Sequence, residues 1–179
     1  MKTFIALLRG INVSGKNKIK MVELKQLFLD LGFSNITTYI QSGNVIFSSE
    51  EINTSKIENL LVTEIKSKFG YSITVLILKK KELETVFKST PFSNEEDFDF
   101  KKICVTFLDK IPTEEGIAKV KTLAAKDELL IFKNKTAYIY CPNGFGRTKL
   151  SNNNIESKLK LSATSRNWNT ITKLIELSS

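Results

Sequence analysis

The sequence predicts an α+β chain of two related ferredoxin-like (split βαβ) lobes packed together, with a C-terminal helical extension. Three observations predict it: an element order of βαββαβ up to residue 78, a return of βαββα after residue 102, and strand runs that are apolar on both alternating faces. Residues 4–8, 73–78 and 103–108 are such runs. A lone sheet of this type carries helices on one face only, so its second face needs another cover, and the other lobe or the terminal helix is the economical source. The boundary falls between residues 1–90, an N-terminal ferredoxin-like lobe, and residues 91–179, a C-terminal ferredoxin-like lobe with terminal helices.

The first strand spans 3–9, and the helix after it sets Leu24, Leu27, Phe28 and Leu31 on one face before Gly32 stops it. Residues 35–41 and 45–47 alternate around Ser42-Gly43-Asn44 as a hairpin. A helix from about Ser55, with Glu58 at capping-box spacing, places Ile57, Leu60, Leu61, Ile65 and Phe69 inward and ends at Gly70. A strand over 71–78 and a short helix over 79–88 lead to the acidic stretch 93–100, read as the joint between halves. The second half begins with a strand at 102–108 and a helix at 112–125 with Ile117, Val120 and Ala124 inward. A hairpin of 128–133 with 136–141 turns at Asn134-Lys135, and a helix at 152–160 has Asn153 and Glu156 at cap spacing. In place of a sixth strand this half ends in a helix over 168–177, with Trp168, Ile171 and Ile175 on one face.

Composition narrows the chemistry. There is no histidine, which removes the commonest general base and metal ligand and excludes a Ser-His-Asp or Cys-His hydrolase. Two cysteines without a C-x-x-C pair provide no zinc site, and Cys104 reads as a core residue and Cys141 as an ordinary loop thiol. No metal and no cofactor are expected. With no signal-peptide core and no run long enough for a membrane span, the expected location is the cytoplasm, away from membranes. The net charge of +8 is unevenly placed. Residues 1–49 hold six Lys/Arg against two acids, 50–132 thirteen against fifteen, and 133–179 eight against two, which suits a fold whose two ends face an anion.

Two polar stretches concentrate that charge. Residues 9–20, RGINVSGKNKIK, carry Arg9, Lys16, Lys18 and Lys20 with Gly10, Asn12 and Gly15, and contain no acid. Gly10 to Lys16 satisfies the phosphate-loop pattern G-x-x-x-x-G-K, and Asp109 could imitate the acidic residue of a nucleotide hydrolase. Asn17 stands where that pattern requires Ser or Thr, and the hairpin that follows is not the parallel crossover such enzymes use. An anion site built from the same glycines, amides and lysines, or a solvated loop, is what survives. Residues 142–149 repeat the recipe with Gly144, Gly146, Arg147 and Lys149, and Arg166 lies in the polar stretch before Trp168. Arginines suit bidentate phosphate binding.

LLRGINVSGKNKIKM, YIQSGNVIF, GRTKLSN and TSRNWNTITKL together resemble the bacterial family catalogued as domain of unknown function 1697, over residues 3–177. The resemblance implies an α+β fold of two related lobes, assigns no activity, and groups the four polar motifs.

The expected phosphate-binding residues are therefore Arg9, Gly10, Asn12, Gly15, Lys16, Lys18, Gly146, Arg147, Lys149 and Arg166, on a basic face formed by the 9–20 and 144–149 loops. The expected partner is nucleic acid, or a phosphorylated small molecule. Sequence-specific stacking of RNA bases is not expected, because Tyr39, Phe47 and Tyr138 are scattered and form no aromatic ladder. The rival is an enzyme on a small phosphorylated or carboxylated substrate, with Lys16 or Lys149 as cation clamp and Ser14, Ser42 or Tyr39 as polar participants. A third reading is an adaptor whose basic face is incidental. Trp168 is expected to anchor the terminal helix in the core and not to stack on bases.

Overall fold

The computed structural model describes residues 1–92 and 98–179. The order is β1 (Lys2–Leu8), α1 (Met21–Asp30), β2 (Ser34–Tyr39), β3 (Asn44–Ser49), α2 (Thr54–Phe69), β4 (Val75–Lys79), α3 (Lys80–Lys88), β5 (Ile103–Leu108), α4 (Glu114–Lys121), β6 (Leu129–Lys133), β7 (Thr136–Tyr140), α5 (Asn152–Leu159), β8 (Ala163–Asn167) and α6 (Trp168–Leu177). The expected α+β class holds. Two four-stranded antiparallel sheets, ordered β2-β3-β1-β4 and β6-β7-β5-β8, share one split βαβ connectivity. The chain divides into two compact units, Met1–Glu84 with Leu174–Ser179, and Thr85–Lys173.

In the first unit, Phe4, Ala6 and Leu8 of β1 join Leu24, Leu27 and Phe28 of α1 and Ile57, Leu61 and Ile65 of α2 in one core. Phe47 is its aromatic centre, 5.2 Å from Phe28 and 4.8 Å from Phe33 between ring centroids. Ile5 and Leu7, on the opposite face of β1, are buried as well. Leu60 is not inward as its spacing suggests but exposed, so the buried stripe of α2 is Ile57, Leu61 and Ile65. The strand expected over 71–78 begins only at Val75.

In the second unit, Cys104, Leu108, Val120, Ile139, Leu150, Ile155 and Ala163 form the core beneath α4 and α5. Cys141 belongs to that core and is fully buried, so it is not the loop thiol the sequence suggested. Burial pushes Cys104 up to about 12 and Cys141 up to about 11. The helix expected over 112–125 is shorter, Glu114–Lys121, and starts at a Thr113 cap whose hydroxyl accepts from the Gly116 N–H. On α4 it is Gly116 and Val120 that are buried. Of the acidic stretch 93–100, residues 93–97 lie outside the described residues.

The second half does have its fourth strand. β8 reads Ala-Thr-Ser-Arg-Asn, with no apolar run to announce it, because an edge strand beside β5 needs only small and polar side chains. Trp168 begins the helix after it at 5% exposure, stacked on Phe87 with centroids 5.1 Å apart, and tilted against Phe100 at 6.0 Å. It is a core anchor. Its buried stripe continues through Ile171 and Leu174, whereas Ile175 is only partly buried.

Candidate functional site

The 9–20 loop leaves the end of β1 and folds on itself before α1. Lys16 donates its backbone N–H to the Val13 carbonyl at 2.9 Å, and Ser14 and Gly15 between them have φ of +50° and +75°. Both central residues left-handed is a type I′ turn, which presents Lys16 at its exit. Two asparagines hold the rest. The Asn12 amide donates to the Ile19 and Gln41 carbonyls, both at 2.9 Å, and its oxygen accepts from the Ile19 N–H. Asn17 donates its amide to the Gly10 carbonyl at 2.9 Å, while Asn12 donates its backbone N–H to the Asn17 carbonyl. Ile11 and Ile19 are buried beneath the loop as its hydrophobic feet.

The geometry alters the expected chemistry. In a phosphate-binding P-loop the backbone N–H groups point at the anion. Here those of Asn12, Lys16 and Ile19 are spent inside the loop and Asn12 is a clamp, which leaves the exposed ammonium groups as the charged parts that meet an anion. Lys16, Lys18 and Lys20 are exposed and Arg9 is partly so. Lys20 lies 3.8 Å from Glu23 in an exposed pair, the kind of pair that contributes little.

Beside the loop runs the hairpin turn 40–43. Gly43 donates no space: a Cβ there would lie 2.7 Å from Leu8 Cβ and 2.8 Å from Ile11 Cδ1. Its carbonyl accepts from the Leu8 N–H, and buried Asn44 donates its amide to the Tyr39 carbonyl and the Ser42 hydroxyl. Through the Asn12–Gln41 bond, the motifs RGINVSGKNK and YIQSGN form one structural unit.

The 142–149 loop belongs to the second unit. Gly144 (φ +86°) donates its N–H to the Cys141 carbonyl, Arg147 donates its N–H to the Gly144 carbonyl, and the Lys149 carbonyl accepts from the Asn154 amide. Gly146, Arg147 and Lys149 are exposed and Lys102 Nζ approaches Gly144. Asn143 donates its amide to Asp127, and Asp127 and Glu128 contribute to holding the Cys141 thiol protonated. Two acids therefore reach the start of this loop. That was invisible in the sequence, where Asp127 and Glu128 belong to the β6 hairpin and nothing local links them to Arg147.

Arg166 is 8% exposed on β8 and donates through NH1 to the Ser165 carbonyl. Burial pushes its guanidinium down to about 10. It is a structural cation. On the other face of the strand, Ser165 bridges Thr106 at 2.7 Å and Asn152 at 2.5 Å, tying β5, β8 and α5 together. Asp109 accepts from the Ser162 N–H and so closes the end of β5, a structural bond and not a metal-binding arrangement. Among the described residues, no group of three His, Cys, Asp or Glu side chains could hold a metal ion, and no helix is long and apolar enough to cross a membrane.

The model of the family described as "Protein of unknown function (DUF1697)" matches residues 1–138, which takes in both RGINVSGKNK and YIQSGN. The chain belongs to that family. A solved structure described as the conserved bacterial protein SP0830 from Streptococcus pneumoniae is similar along 99% of each chain, with 25% identity and a TM-score of 0.76. Since it spans the whole chain, the two-lobed fold extends through the GRTKLSN and TSRNWNTITKL motifs that lie beyond the family match. No curated protein matches.

Proposed function

We propose that the chain is a cytoplasmic anion-binding module whose ligand is nucleic acid, gripped through its phosphates by the 9–20 loop. One observation carries the reading: Lys16 and Lys18 stand in solvent on a loop whose backbone is fixed by Asn12 and Asn17, and among the described residues neither makes an ion pair. A pre-ordered loop forfeits little conformational freedom when it binds. Point-charge ammonium groups suit phosphates lying along a backbone, and the grip they produce is electrostatic and indifferent to sequence. Burial of Phe47 and Tyr138 supports the absence of a base-stacking ladder on either sheet. Arg147 and Lys149 form a second cationic segment, on a loop whose Asn143 is bonded to Asp127.

A salt titration of fluorescent oligonucleotide binding tests this. Lys16→Ala and Lys18→Ala each lower the slope of log affinity against log salt by about one and weaken binding to all sequences alike. Arg147→Ala has a smaller effect. Lys66→Ala and Lys119→Ala, on exposed helix positions, leave it unchanged. Equal effects from all five variants, or no binding at about 50 mM salt, would overturn the reading and favour an enzyme acting on a small phosphorylated substrate.

A further inference from the structure

Beside the cationic loop stand two exposed aliphatic side chains, and one of them is held there against its backbone preference. Ile40 has φ of +49° and is 49% exposed; Val13 is 55% exposed at the start of the type I′ turn. A β-branched residue in the left-handed region is a steric outlier, and such strain persists only where the surroundings impose it. Ile40 immediately precedes Gln41, whose carbonyl is held by the Asn12 amide, and Val13 immediately follows Asn12. One clamp therefore ties the turn that carries Ile40 to the loop that carries Val13, Lys16 and Lys18, and at Ile40 asparagine or glycine would be the relaxed choice.

We infer that the nucleic acid taken by this loop is single-stranded, with Val13 and Ile40 lying against unstacked bases while Lys16 and Lys18 hold the adjoining phosphates. The inference rests on the phosphate-binding reading above. Phosphate contacts alone do not separate single strands from duplexes, since both present them. An apolar pair beside the cations does, because a single strand offers base faces that a duplex keeps stacked. An anionic lipid surface also combines charge with apolar depth. Two β-branched side chains bury far less than even one myristoyl chain, which by itself anchors only marginally, so the lipid alternative is the weaker fit.

The experiment measures the affinity of the full chain for a labelled oligothymidine and for a hairpin duplex of equal charge, with phosphatidylserine vesicles as a third probe. Ile40→Asn is the informative variant, because asparagine accepts the left-handed backbone and keeps the turn while removing the apolar contact. The expected result is preference for the single strand, lowered by about fivefold in Ile40→Asn and in Val13→Ser, with duplex affinity and salt slope unchanged. Ile40→Asn that raises the melting temperature without moving the single-strand to duplex ratio overturns the inference and leaves the phosphate grip intact. Loss of vesicle binding in place of oligonucleotide binding overturns it in favour of a membrane surface. Absence of salt-dependent binding to any probe removes the grip and the inference together.

Discussion

The carboxylate of Glu58 on α2 accepts a hydrogen bond from the backbone N–H of Ile77 on β4 at 2.8 Å, and in the other unit Glu156 on α5 accepts from the Ala163 N–H on β8, also at 2.8 Å. β4 and β8 occupy the same edge in their sheets, and each glutamate stands five residues after its helix cap, Asn53 or Ser151. An edge strand offers unpaired N–H groups, and here a helix carboxylate closes one of them in each lobe. Glu58→Ala leaves the buried Ile77 N–H without this acceptor and is expected to destabilise the chain by about 2 kcal/mol, with Glu58→Gln losing less because its carbonyl still accepts. Urea unfolding of the two variants checks this; equal stability of Glu58→Ala and the parent would show the bond to be dispensable.

The same pair explains what the sequence could and could not say. Reading Ser55 with Glu58, and Asn153 with Glu156, as cap and third residue finds the right helices and mistakes the role of both glutamates by the same two-residue shift. The caps are Asn53, accepting from the Ser55 and Lys56 N–H groups, and Ser151, accepting from Asn154. Periodicity and cap spacing located the α-helices and the two hairpins because burial of one face is a local pattern, while the short 3-10 turn at Phe100–Lys102 was read as loop. β8 escaped because its partner β5 lies nearly sixty residues away and its own side chains are polar. Around the site, the glycines and lysines were legible, but the clamping by Asn12 depends on Gln41, a contact that no local spacing encodes. The one local hint was chemical: Asn12 and Asn17 in a glycine-bearing loop are the residues that best tolerate positive φ, and both adopt it.

Gly43 is the glycine with the closest surroundings. Gly43→Ala forces a Cβ against Leu8 and Ile11 in the left-handed region and is expected to cost about 3 kcal/mol. Gly15→Ala shares the positive φ but meets nothing within 4 Å, so its cost is about 1 kcal/mol. The difference between their denaturation midpoints measures the close approach alone.

Both thiols set an alkaline limit on stability. Their folded values, about 12 for Cys104 and about 11 for Cys141, stand above the ordinary thiol value of 9.0, with desolvation the main cause in each. Above pH 9 the unfolded chain loses these protons while the folded chain keeps them, so folding becomes less favourable as pH rises, and the loss continues until the folded thiols ionise. Each thiol is expected to contribute a fall of roughly 1 kcal/mol per pH unit in that window. Comparing unfolding free energies at pH 8 and pH 10 for the parent and for Cys104→Ala isolates one thiol from the titrating lysines; the variant should show the shallower decline.

Asn12 decides whether the basic loop is built or merely flexible. Its side chain makes three hydrogen bonds, to the Ile19 carbonyl, from the Ile19 N–H and to the Gln41 carbonyl, and its backbone sits at φ +54°. Asn12→Ala removes all three and adds left-handed strain, which should cost about 3 kcal/mol. Asn12→Gly keeps the backbone comfortable while losing the same bonds, so the difference between the two variants reports strain alone. In either case the Ile19 amide should exchange with deuterium far faster than in the parent, because its acceptor is gone, while amides in β1 and β3 keep their protection. Protection at Ile19 that survives Asn12→Gly would mean that Ile11 and Ile19 hold the loop by burial and that the asparagine is a bystander.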